Sequence, residues 1–283
     1  PRRGISSPVE GGLLIDSSPT EGQVNHFRTF GFVQLERCID GAAFGTLVEE
    51  YERALSPSSG RLPFNLAGRP PAWVASCMGE RTPNIAGLAL SERALALAER
   101  LLGGPVICVQ ASAYWRSEDT QWHSDNLSLD YEALKLYINL DPVDGRSGAL
   151  RVVPGSHRDP LRTALVPGAG ERLEDAFGMA ADRLPAVALC SRAGDVSAFD
   201  LRLWHAVCGS GQKRRVVELS YYGDPTRPSS REGFIQQMRA NQRGARLAGE
   251  PYFPAFWRQA PGARHQRGIR RLAELGVLDT GRS

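Results

Sequence analysis

At 283 residues, 42% hydrophobic and 23% charged, the chain has apolar content for one large core. This excludes a disordered protein and fits a single β-rich domain with helical additions over 1–283. A formal net charge of +3, with basic and acidic residues interspersed and no run of eighteen apolar residues, excludes a nucleic-acid or anionic-membrane block and a transmembrane helix. Five cysteines, Cys38, Cys77, Cys108, Cys190 and Cys208, are an odd number without a C-x-x-C pair, which argues against a disulfide framework or zinc cluster and for reduced thiols in the cytoplasm.

The first nineteen residues, rich in Pro, Ser and Gly, read as a flexible arm, and PRRGISSPVEGG carries no apolar stretch behind its two arginines. A helix is predicted to begin near Thr20, where Thr-Glu-Gly-Gln has the form of a capping box, with GFVQLERC following as a strand. GAAFGTLVEEYERAL, over 41–55, places apolar residues at helical spacing. The stretch 56–85 is dense in Pro and Gly and contains Phe64, Trp73 and Met78. It is expected to be a long loop serving as a lid over a substrate pocket. A second helix is predicted over 91–102, and PVICVQASAYW is a strand that should line the interior beside the next motif. Residues 158–185 read as a polar loop with a short helix, and 223–283 as a helical extension ending in RGIRRLAELG. Phe253 and Trp257 there are expected, with Phe64 and Trp73, to make part of the pocket apolar or aromatic. Lysine occurs only at Lys135 and Lys213; with the many Ala and Gly residues, this composition points to a high-GC bacterial source.

The chemistry concentrates in WHSDN, where His123 and Asp125 form an H-x-D pair. In extended chain, residues i and i+2 share a face, so an imidazole and a carboxylate can converge on one ion while Ser124 points away. A second histidine, His205, lies far downstream in AGDVSAFDLRLWHA, and antiparallel pairing can bring it alongside. Two imidazoles and one carboxylate on one face of Fe(II) leave positions for dioxygen and a bidentate ligand, which a closed tetrahedral zinc site lacks. The arginines that follow, Arg214 and Arg215, offer a planar fork for an acidic cosubstrate. His157, in PGSH, competes as the distal ligand, but it follows a Pro-Gly turn where histidine more often caps a loop, and His205 is favoured. His26 and His265 read as surface residues, and Trp122 and Trp204 as packing beside the barrel.

WHSDNLSLDYEALKLYINLDPVDGRSGALRVVPGSH, the later GDVSAFDLRLWHA and the strand RRVVELSYY together resemble the phytanoyl-CoA dioxygenase family of Fe(II)/2-oxoglutarate oxygenases, over roughly 20–225. The resemblance implies a mainly β fold with flanking helices around a double-stranded β-helix, a jelly roll related to the cupins. It also implies His123, Asp125 and His205 as iron ligands, and an arginine for the distal carboxylate of 2-oxoglutarate. AVCGSGQK is shorter than the family's usual spacing, so Arg214 and Arg215 both stay open; counting back from Tyr221 favours Arg214, and alternation sends Arg215 to the other face. Val207 stands where the family often has a small hydroxyl residue, so one cosubstrate hydrogen bond is missing or replaced. Gln110 and Tyr114 are further candidates to meet 2-oxoglutarate, with cross-strand pairing the competing role; Arg116 and Arg202 could meet an acidic substrate, with surface ion pairing the default.

The activity implied is oxidation of an unactivated C–H bond of a small molecule in bacterial secondary metabolism, using Fe(II), 2-oxoglutarate and O2 and releasing succinate and CO2. Related halogenases carry Gly or Ala in place of the carboxylate, so Asp125 favours hydroxylation, with desaturation, cyclisation and epimerisation also open. Competing readings are a cupin-like metal-dependent isomerase or hydrolase, which needs no 2-oxoglutarate, and a catalytically silent binding module. A nucleic-acid binder ranks lower, because RHQRGIRRL is short and its expected role is solvation or subunit contact. No membrane partner is expected, and the chain is expected to be a monomer or homodimer.

Overall fold

The computed structural model describes residues 18–39, 41–56, 73–125, 131–165, 178–180, 183–209, 214–247 and 251–278. Ten strands form two antiparallel sheets within these residues. The larger sheet runs in the order β1 (Phe32–Leu35), β8 (Val196–Asp200), β5 (Ala133–Asn139), β10 (Arg214–Gly223), β3 (Val106–Arg116) and β2 (Trp73–Ser76). The smaller is β4 (Thr120–His123), β9 (His205–Val207), β6 (Leu150–Val152) and β7 (Val187–Ala188). Apart from β2–β3 and β6–β7, the paired neighbours are not consecutive in the chain, as in a jelly roll, and this is the double-stranded β-helix expected.

The period-2 pattern of the central strands sorts the larger sheet into two unlike faces. One face carries Leu136 opposite Leu219 and Ala198, and Ile138 opposite Val217 and Val196, all buried. Helices α3 (Pro83–Leu90) and α4 (Glu92–Leu102) lie against β3, and α4 also lies against β10 and β5. The other face carries Lys135 opposite Ser220, and Tyr137 opposite Glu218 and Ser197; Ser220 and Glu218 in turn face Gln110 and Ser112 on β3. Burying polar groups costs free energy unless they are bonded, so this interior is built for polar contacts and not as a dry core.

Helix α1 (Glu21–Phe30) starts at Thr20 with the capping box complete, Gln23 N donating to Thr20 Oγ1 at 3.2 Å and Thr20 N to Gln23 Oε1 at 2.8 Å. α2 (Gly41–Ala54) and α4 also match expectation, Ser91 Oγ accepting from Ala94 N at the start of α4. The 56–85 reading needs correction: residues 73–76 are an edge strand paired with β3 and α3 begins at Pro83, while Phe64 lies outside the described residues. Thr82 gives α3 no side-chain cap; Glu50, fully buried on α2, supplies it, accepting from Asn84 N (3.0 Å), Asn84 Nδ2 (2.8 Å) and Ile85 N (2.6 Å). A carboxylate at a helix N-terminus satisfies orphan donors and complements the dipole. Glu50→Ala should therefore cost roughly 2–4 kcal/mol in a denaturant-melt midpoint, whereas a loss below about 0.5 kcal/mol would contradict this role.

After α5 (Leu161–Leu165), the chain ends in α6 (Pro228–Leu247), α7 (Ala255–Gln259) and α8 (Ala263–Glu274). Two expectations change here. His265 is buried, its Nε2 2.7 Å from the Trp257 carbonyl, with burial lowering its pKa. Phe253 and Trp257 are buried too, their ring centroids 4.4 Å apart, so they belong to the core and not to a substrate pocket. Three of the four arginines of RHQRGIRRL dock the C-terminal helices: Arg264 bonds Glu92 (2.6 Å) and Glu99 (2.8 Å), Arg267 pairs with Glu99, and Arg271 meets Asp224 at 2.7 Å. Among the described residues no helix is long and apolar enough to cross a membrane.

Candidate metal and cosubstrate site

β4 ends on His123 and β9 begins on His205, and the two are direct cross-strand partners despite a register shift between Thr120 and His123. Asp125 lies just beyond the end of β4. One ligand atom from each of His123, Asp125 and His205 falls within 4.8 Å of the others, and no fourth His, Cys, Asp or Glu among the described residues joins the group. Asp125 Oδ1 is 3.7 Å from His123 Nε2, and its Oδ2 is 3.7 Å from His205 Nε2.

Both imidazoles are aimed by the backbone. His123 Nδ1 lies 2.8 Å from the Gln121 carbonyl and His205 Nδ1 2.8 Å from the Leu203 carbonyl, so each Nδ1 donates to the backbone and each Nε2 is turned toward Asp125. Burial pushes the His205 pKa down to about 4, against the pull of Asp125, so this imidazole is neutral at pH 7. For Asp125 burial opposes ionisation, but Lys135, His205 and His123 outweigh it and hold the carboxyl well below the usual carboxylate range. The side chains are 6% (His205), 23% (Asp125) and 45% (His123) exposed, so the group is walled on one side and open on the other.

The segment leading to His205 is pinned from several directions. Trp204 N donates to Ser156 Oγ at 2.9 Å and Val153 N to the Trp204 carbonyl at 2.9 Å, which gives the VVPGSH turn its job. His157 itself is buried away from the group and packs on Gly31, where a Cβ would meet its Nδ1 at 2.6 Å. Arg202 is held bidentately by Asp200 (2.6 and 2.8 Å), and Ser124 Oγ donates to the Leu201 carbonyl at 3.1 Å, tying the HSD segment to the same turn. Trp122 and Trp204 pack in a small cluster with Val153, Leu165, Leu184 and Ala206, as expected.

Alternation separates the two arginines. Arg214, the first residue of β10, is buried, donating from Nη1 to the Gly148 carbonyl (2.7 Å) and from Nη2 to the Glu118 carbonyl (3.0 Å). Arg215 lies on the opposite face, bonded to Asp141 (2.6 Å) and Glu52 (2.7 Å). Gly148 is at φ +88°, and a Cβ there would stand 2.7 Å from Arg214 Nε. Gly148→Ala should cost about 1–3 kcal/mol of stability and displace the guanidinium. An unchanged denaturation midpoint and 2-oxoglutarate affinity in that variant would contradict the close fit.

Gln110 and Tyr114 both lie on the polar interior face of β3. Gln110 Nε2 donates to Ser112 Oγ (2.7 Å), and Tyr114 OH to Glu218 Oε2 (3.2 Å). Val207 pairs across the strands with Thr120, whose Oγ1 accepts from Val207 N at 2.8 Å. Two interior residues were missed by the sequence reading. Lys135 Nζ is 2.9 Å from Asp125 Oδ2 and 3.1 Å from Glu218 Oε1. Their signal was a charge at inward parity in an apolar strand, Lys135 alone in ALKLYIN and Glu218 on the same face as Arg214 in RRVVELSYY.

A model of the family described as phytanoyl-CoA dioxygenase (PhyH) matches residues 27–216, more than half of the chain. The chain belongs to the phytanoyl-CoA dioxygenase family. Comparison with curated protein sequences gave no match. Solved structures with the same fold include EctD from S. alaskensis, 23% identical over 75% of this chain and 80% of that one, TM-score 0.62. The alpha ketoglutarate dependent carbocyclase SnoK from nogalamycin biosynthesis is 22% identical over 76% and 87%, TM-score 0.58. The epimerase SnoN, in complex with Fe3+, alpha ketoglutarate and nogalamycin RO, is 21% identical over 72% and 83%, TM-score 0.58. The cofactors of this family member are iron and 2-oxoglutarate, with O2. Its donor set fits them: two imidazoles and a carboxylate converge from one side, and no fourth such donor among the described residues closes the group.

Proposed function

We propose that His123, Asp125 and His205 hold Fe(II) and that Arg214 binds the far carboxylate of 2-oxoglutarate, with Gln110 and Tyr114 lining the same interior. In this reading the chain is one oxygenase domain that hydroxylates, or otherwise oxidises, an unactivated C–H bond of a small molecule in bacterial secondary metabolism. The observation that carries it is the three-donor group with one open side. The metal and cosubstrate would supply the oxidising power, releasing succinate and CO2.

The remaining work falls to the chain's own residues. The Gln121 and Leu203 carbonyls orient the two imidazoles, and the buried guanidinium of Arg214 offers charge-assisted donors to a carboxylate entering the barrel. The solvent-facing side of His123 and Asp125 is where a substrate C–H bond would be presented and water excluded. The structural neighbours SnoN, an epimerase, and SnoK, a carbocyclase, keep those two outcomes beside hydroxylation. A small-molecule substrate, a cytoplasmic location and a monomer or homodimer belong to the same reading.

Turnover with 18O2, Fe(II) and 2-oxoglutarate against a panel of natural-product scaffolds distinguishes these outcomes. Hydroxylation gives a labelled product and one succinate per turnover; loss of two hydrogens indicates cyclisation or desaturation, and an isomer of equal mass indicates epimerisation. No substrate-stimulated succinate with any scaffold would leave the binding-module reading in its place.

A further inference from the structure

Asp125 turns one oxygen toward each histidine, and only one of the two is also held by a lysine. Oδ2 is 3.7 Å from His205 Nε2 and 2.9 Å from Lys135 Nζ, while Oδ1 lies on the His123 side, 3.7 Å from its Nε2. Lys135 is itself anchored: Glu218 Oε1 accepts from it at 3.1 Å and Tyr114 OH holds the other oxygen of Glu218 at 3.2 Å. The three residues come from adjacent strands β5, β10 and β3, all on the polar interior face. Lys135 and Glu218 together add no net charge beside the metal position. A buried pair of this kind pays a desolvation cost that an apolar pair of the same volume would avoid, so stability does not explain it.

Coordination arithmetic supplies a reason. Carboxylates bind divalent ions through one oxygen or two. On a six-coordinate ion, two imidazoles and one carboxylate oxygen leave three positions, two for a chelating 2-oxoacid and one for a diatomic gas. A carboxylate bound through both oxygens leaves only two, which the 2-oxoacid fills. We propose that Lys135 is a positioning residue that occupies Oδ2 of Asp125 and so restricts this ligand to one oxygen, keeping the gas position vacant, with Glu218 and Tyr114 holding Lys135 in place. The proposal rests on the reading of Asp125 as an iron ligand.

The test uses the full chain under anaerobic conditions, with Lys135→Met, the charge-balanced double variant Lys135→Met/Glu218→Gln, and Lys135→Arg. Three affinities are measured: Fe(II) by chelator competition, 2-oxoglutarate by calorimetry, and nitric oxide, a surrogate for dioxygen, by the electron-spin signal of its iron complex. Both methionine variants should keep or tighten Fe(II) binding while nitric oxide binding to the 2-oxoglutarate complex weakens about ten-fold or more, and arginine should restore it. Nitric oxide and 2-oxoglutarate affinities within about two-fold of wild type in the folded double variant would overturn the proposal, even if thermal stability fell. Failure of the wild-type chain to bind Fe(II) and 2-oxoglutarate would instead overturn the underlying metal reading.

Discussion

Arg214→Met is expected to weaken 2-oxoglutarate binding about a hundred-fold or more, and Arg215→Met by less than about three-fold. The two neighbours differ only in which face of β10 they occupy. Arg214 is buried in the barrel with its guanidinium against the Gly148 and Glu118 carbonyls, where charge-assisted bonds to a carboxylate are each worth roughly 1.5–3 kcal/mol. Arg215 sits in a half-buried surface network with Asp141 and Glu52, of the kind worth about 0–1 kcal/mol to stability. Calorimetric titration of the metal-loaded variants separates the cases, with Arg214→Lys showing how much depends on the fork and how much on charge. Equal losses at both positions, or the larger loss at 215, would refute the assignment.

Alanine at His123, Asp125 or His205 should each lower Fe(II) affinity by more than about a hundred-fold and abolish 2-oxoglutarate turnover. Stability should separate the two histidines. His205 is buried, packed against the His123 ring at 4.2 Å and the Phe199 ring at 5.1 Å, so its removal leaves a cavity and costs roughly 1–3 kcal/mol. His123 is nearly half exposed and its loss should leave the melting midpoint almost unchanged. Metal content by elemental analysis, read beside thermal melts, checks both statements; a His123→Ala protein that still holds one tightly bound iron would remove that residue from the site.

What could be read from the residues in advance was local. The capping box at Thr20, the amphipathic runs of α2 and α4, and the opposite parity of Arg214 and Arg215 all follow from short-range rules, and each is present. The H-x-D pair converges, with Asp125 in a bend just past the end of β4. That His123 and His205 are direct cross-strand partners depends on pairing between segments far apart in the chain, which no local pattern encodes. Helix α3 was hidden by the Pro and Gly around it, although Pro83 at the first turn is itself a helix-start signal. His265, Phe253 and Trp257 were misplaced because the polar-looking C-terminal helices dock on α4 through ion pairs, burying residues whose neighbours are charged. Glu50 shows the same limit: its acceptors' partners lie on another helix.

Anaerobic addition of Fe(II) and then 2-oxoglutarate to the purified chain examines the metal site itself. One iron per chain and a visible charge-transfer band that needs both additions, present in wild type and absent in His123→Ala and Asp125→Ala, is the expected result. A colourless protein under saturating iron and 2-oxoglutarate, or a band that survives loss of those side chains, would mean that His123, Asp125 and His205 do not form an open ferrous site.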